Sequence, residues 1–177
     1  MLLLYMFKIF KKLGFERKVS NVQAIKESLD KAKETCKRLA DTELKYLNIK
    51  KYKYTADEAM RELGVTSELI HQLAEDYVIQ ILKTEAQFLA YIKELKSDKK
   101  ENKELNYTKL RELVHKNLGV ARNLRIKDAE KILQEMMVKE DLDYLTICFE
   151  ALRAHAIILK PTCAYNTIKL IELKSSL

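Results

Sequence analysis

The chain has 177 residues, with 33 Lys and Arg against 26 Asp and Glu, a formal net charge of +7 and 47% hydrophobic residues. With only 3 Gly and 1 Pro it lacks the turn formers that an all-β protein needs, so a nearly all-helical fold is expected. Its three cysteines, Cys36, Cys148 and Cys163, are odd in number and far apart. That argues against a disulfide framework or a zinc signature and for a reducing, cytoplasmic setting.

Taken in chain order, the opening run Met1 to Phe10 is apolar but too short to cross a bilayer, and it has no charged lead or small-residue cleavage site. Followed by Lys11, Lys12, Arg17 and Lys18, residues 1–18 could lie on an anionic membrane surface, although packing on a partner or on the helical body is the preferred expectation. After Ser20, an N-cap candidate, Val22, Ile25, Leu29, Ala32, Cys36 and Leu39 recur at near-heptad spacing. A helix packed on the rest of the chain is preferred over a coiled coil, and the oligomeric state stays open.

Thr55 to Leu63 reads as a short amphipathic helix stopped by Gly64, with Thr66 or Ser67 offering the next N-cap and Glu68 favourable in the first turn. Ile70, Leu73, Tyr77, Ile81, Phe88, Ile92 and Leu95 then recur at three- and four-residue steps, which predicts one helix of about thirty residues. The polar run from Ser97 to Glu104 is expected to be a solvated loop. A helix follows from Tyr107 to Leu124, and a shorter one from Lys127 to Val138 carries Ala129, Ile132, Leu133 and Met136. Leu142, Leu145, Phe149, Leu152, Ala156 and Leu159 form a last long stripe before Pro161, and the tail from Thr162 is expected to add one short helix.

The helix from Tyr107 to Leu124 contains His115. Advancing 100° per residue from Leu110 puts Leu113, Val114, Asn117, Ala121 and Leu124 within roughly 60° of it, and His115, Gly119 and Arg122 at roughly 120° to 180°. The imidazole is therefore expected in water. A glycine inside a helix costs about 1 kcal/mol relative to alanine, so Gly119 calls for a reason. It either permits close helix packing or clears a path for another protein to reach His115.

The spacing His115, Gly119, Ala121, Leu124 resembles the signature of histidine-containing phosphotransfer domains, H-x-[LI]-K-G-x-[AS]-x-x-[LFI], the phosphocarriers of two-component relays. Two positions depart from it: Asn117 stands where an aliphatic residue is usual, and Leu118 where lysine is usual. From about Tyr54 to Leu159 the order of elements is also similar to that family. The resemblance implies an antiparallel up-down four-helix bundle over residues 51–160, with an N-terminal helical extension over 1–50 and a C-terminal helical tail over 161–177.

It further implies that His115 accepts and donates a phosphoryl group in exchange with aspartates of response-regulator receiver domains, with a hybrid histidine kinase as a second candidate partner. Lys116, Arg111, Arg122, Gly119 and Leu118 are then the expected phosphate-stabilising or docking positions. No cofactor or metal is expected on this chain; Mg²⁺ belongs to the receiver. Such a carrier is partner-dependent and not an enzyme in its own right.

Two other readings stand beside this one. A degenerate relative could bind a receiver or kinase without taking phosphate, and the first forty residues could serve a membrane-surface or coiled-coil adaptor. Nucleic acid is disfavoured, because the lysines are dispersed among acids and no helix-turn-helix, zinc or stacking pattern accompanies them. The sequence has no Gly-rich phosphate loop, Gly-x-Ser-x-Gly elbow, His-Glu-x-x-His pair or Gly-rich ATP lid. His71 and His155 lack the motif and are expected at the surface or boundary, while Cys36 and Cys148 are expected as small core residues.

Overall fold

The computed structural model describes residues 2–49 and 54–176, with side chains described from Asn21 onward. The elements are α1 (Leu2–Asp41), a 3₁₀ turn (Lys45–Leu47), α2 (Asp57–Leu63), α3 (Ser67–Lys100), α4 (Thr108–Asn123), α5 (Lys127–Val138), α6 (Leu142–Leu159) and α7 (Pro161–Ser175). Among the described residues there is no strand, so the fold is all-α. The membrane-surface expectation for residues 1–18 lies outside the described side chains. No helix of the described residues is long and apolar enough to cross a membrane.

Local signals set most of the boundaries. Gly64 takes the left-handed conformation (φ 65°) and its N–H donates to Met60 O, closing α2. Thr66 Oγ1 accepts from the Leu69 N–H at 3.4 Å to open α3, and Asp141 accepts from the Tyr144 N–H at 2.7 Å to open α6. Pro161 begins α7, where its missing N–H costs nothing. Between α4 and α5 the Ile126 N–H returns to Ala121 O at 2.9 Å, with Arg125 at φ 56°. A non-glycine residue there costs roughly 1–2 kcal/mol.

The expected loop from Ser97 is only partly a loop. Helix α3 continues to Lys100, because an exposed last turn needs no apolar stripe and Lys99 and Lys100 complement the dipole. The turn proper falls at Glu101 and Asn102, the latter at φ 55°.

Helix α4 packs against α3 and α5, and α6 packs against the same two helices. Helix α1 lies along α6, and α7 contacts α3, α6 and α1. One apolar core runs from Ala32 to Ala164, with Phe88 and Phe149 stacked at 4.4 Å between ring centroids. Being covered on two sides, α6 buries nine residues, among them Ala151, Ala154 and Ile157, which lie off the single stripe read from its sequence. On α3, Leu73 is 36% exposed and Ala74, Val78 and Leu82 are buried instead, a second row that meets its additional neighbours.

The later part of the stripe on α1 packs within the chain, and Ile25 and Leu29 are half-buried. Ala32 and Leu39 are buried and Cys36 is half-buried, whereas Val22 is 67% exposed. Cys148 is buried as expected, and all three cysteines are free.

Candidate functional site

Two flanks hold α4 in register. On the α3 side, Gln80 Nε2 donates to Asn117 Oδ1 at 2.8 Å, and Lys109 Nζ lies 3.4 Å from Glu94. On the α5 side, Arg122 Nε bonds Glu130 at 3.1 Å and Arg111 bonds Glu140 at 3.2 Å, with the Arg111 guanidinium 5.2 Å from the centre of the Tyr107 ring. The face left open between these flanks carries His115, Lys116 and Gly119, all exposed.

The expected acceptor thus stands in water. Among the described residues, neither His115 nor Lys116 has a hydrogen-bond or ion-pair partner. A Cβ built on Gly119 would meet nothing within 4 Å. Close helix packing therefore does not account for this glycine, and the cost of about 1 kcal/mol goes unrecovered within the fold.

Two of the expected phosphate ligands are already engaged, since Arg122 is held by Glu130 of α5 and Arg111 by Glu140 just beyond its end. Their bridges are exposed and worth about 0–1 kcal/mol, so either arginine can be drawn away by a stronger anion. Leu118 requires a correction. It is 5% exposed and packs into the core, so it offers nothing to a phosphoryl group or a docking partner. The buried layer of α4 is wider than a single stripe suggests.

Asn117, read as part of the buried stripe, is indeed buried at 3% exposure, and its amide also donates to Leu113 O at 2.9 Å. His71 is exposed and lies 3.5 Å from Lys160 Nζ. His155 lies at the boundary, the second of the two expected placements: its Nδ1 lies 2.5 Å from Asp128 Oδ2, and the two side chains are 14% and 12% exposed. Asp128 sits in the first turn of α5, where the helix N-terminus favours a carboxylate. Burial by itself lowers the His155 pKa, but the bond to Asp128 and the neighbouring Cys36 thiol outweigh it and raise the value to about 10. Alternating small residues around His155 were the available signal, since Ala154 and Ala156 mark a closely packed segment.

A second polar cluster fastens the 3₁₀ turn. Tyr46 donates to Glu135 at 2.6 Å and bonds Tyr144, while Lys131 donates to Leu47 O at 3.0 Å. No group of three or more His, Cys, Asp or Glu among the described residues is placed to hold a metal ion. Comparison of the chain with protein-family models, with curated proteins and with solved structures gives no match.

Proposed function

We propose that this chain is a phosphocarrier that exchanges a phosphoryl group between His115 and aspartates of receiver domains, and that α3 to α6 form the up-down four-helix bundle of a histidine-containing phosphotransfer domain. The observation that carries the reading is the pairing of a free, exposed imidazole with an exposed mid-helix glycine one turn away, around which the space is open. A carrier needs a rigid nucleophile and clear access, because the partner brings most of the catalytic groups.

In the forward step a ring nitrogen of neutral His115 attacks the phosphorus of an aspartyl phosphate. The P–N bond forms as the P–O bond to aspartate breaks, and the carboxylate leaves with the electron pair. Return to a second aspartate reverses these changes. Lys116 is the cation free to meet the phosphoryl oxygens, and Arg111 and Arg122 can exchange their glutamates for it. The receiver supplies the Mg²⁺. The net charge of +7 favours encounter with an acidic receiver pocket.

The test mixes the full chain with radiolabelled phospho-receiver domains. Acid-labile, base-stable label on the wild type that is lost in His115→Gln supports the proposal; no label, or label retained in the variant, overturns it. The buried Leu118 favours a second reading, a module that docks a receiver without accepting phosphate, since the usual lysine at that position is replaced by core. Binding without labelling is its signature.

A further inference from the structure

Helix α7 lies in a seat built by two other helices. Helices α3 and α6 run antiparallel: Lys160 lies 3.3 Å from Glu75, Arg153 bonds Glu85 at 2.9 Å, Phe149 stacks on Phe88, and Lys96 lies 2.6 Å from Asp143. After Pro161 the chain turns back along α6. Cys163 Sγ is 3.8 Å from Glu75 O, and Tyr165 and Glu172 share a cleft with Glu150, Arg153 and Ile157 of α6. The last turns of α7 thus reach the level of Arg153 and Glu85, and over that stretch Val78 and Leu82 of α3 are buried.

Past that level no helix of the described residues covers the groove between α3 and α6. Advancing 100° per residue, Leu89, Lys93, Lys96 and Lys100 stay within about 40° of Leu82 and so continue its row. The row passes from 2% exposed at Leu82 to 45% at Leu89. There it borders a groove of about 440 Å³, with Leu89 and Ile92 as its apolar floor and Thr146 on the α6 side. Three lysines and no carboxylate line it. Lys96 is held by Asp143, itself 87% exposed, whereas Lys93 and Lys100 have no hydrogen-bond or ion-pair partner among the described residues.

We propose that this groove docks an acidic amphipathic helix of a partner protein. The form of the occupant follows from α7, which fills the neighbouring stretch of the same seat, and its charge follows from the three lysines. From Leu89 to Lys100 the groove offers about 17 Å, room for about three helical turns. Apolar side chains of the incoming helix, spaced at three and four residues, cover Leu89 and Ile92, and its carboxylates meet Lys93, Lys96 and Lys100. Lys96 can exchange Asp143 for a partner carboxylate, because an exposed bridge holds it only weakly. His115 belongs to α4, which does not line the groove, so this docking stands apart from the phosphocarrier reading.

The test titrates the full chain into a fluorescein-labelled, stapled peptide of about twelve residues, with leucine on one helical face and glutamate on the other, and follows anisotropy. The expected result is binding that weakens about tenfold between about 50 mM and about 500 mM salt. Lys93→Glu combined with Lys100→Glu, and separately Leu89→Asp, should each weaken it by about tenfold. All three side chains are exposed, and thermal melts at the wild-type temperature report an intact fold. No binding, equal binding of a scrambled peptide of the same composition, or equal binding by the variants overturns the proposal. So does binding to vesicles of phosphatidylserine and phosphatidylcholine that the variants lose while the peptide fails to bind, which would assign the groove to a lipid surface.

Discussion

The Gln80 side chain donates to Asn117 Oδ1 at 2.8 Å, and Asn117 in turn donates to Leu113 O, so the one polar residue on the buried stripe of α4 uses both ends of its amide. Removing one partner alone leaves the other without a hydrogen bond in a part-buried setting. Asn117→Leu is expected to lower unfolding free energy by about 1–2 kcal/mol, and adding Gln80→Leu to recover most of that loss. Urea denaturation of the two single variants and the double variant measures the coupling; strictly additive losses contradict it.

Gly119 is where stability and the proposed role should part. Gly119→Ala is expected to raise stability by about 1 kcal/mol, because the helix gains and no neighbour is displaced. Gly119→Gln should keep the fold and slow phosphoryl uptake from a phospho-receiver by at least about tenfold. Thermal melts together with transfer time courses decide this, and an undiminished rate in the glutamine variant would remove Gly119 from the site.

Leu118→Lys restores the lysine of the resembled signature but places it in the core. A loss of about 2–4 kcal/mol is expected, from lost apolar burial and an unpaired cation. A variant as stable as the wild type in chemical denaturation would show that the side chain can reach water from this position.

His155 gives the protein a pH dependence. Its folded-state pKa, about 10, lies above the unfolded value of about 6.5, so the imidazolium's contribution is complete below the unfolded value and is lost as pH rises through the folded one. Tm should therefore fall between about pH 6.5 and pH 10 beyond what the rest of the chain contributes, and His155→Gln should flatten that limb. A decline of equal slope in the variant would assign it to other groups.

The sequence made the helices legible wherever one apolar row faced one neighbour. Ala129, Ile132, Leu133 and Met136 of α5 are all buried as read, and the helix stop at Gly64 and the cap at Thr66 stand where a missing Cβ and a hydroxyl put them. Reading failed where a helix meets two or three neighbours. Ala74, Val78 and Leu82 on α3 and Leu118 on α4 are buried by partners whose direction periodicity alone does not reveal. The exposed His115 was legible because an outward angle on a long helix survives any such packing. The contact between Asp128 and His155 was not, because it joins α5 to α6 between residues 27 positions apart and depends on how the two helices turn toward each other.

Helix α6 packs against four helices, α1, α3, α5 and α7, and buries half of its residues. A fragment trimmed to residues 51–160 would strip away half of that coat and lay Ala154 and Ile157 open to solvent. Such a fragment would be prone to self-association through that bared flank, and assays of His115 are better run on the entire polypeptide than on an excised segment.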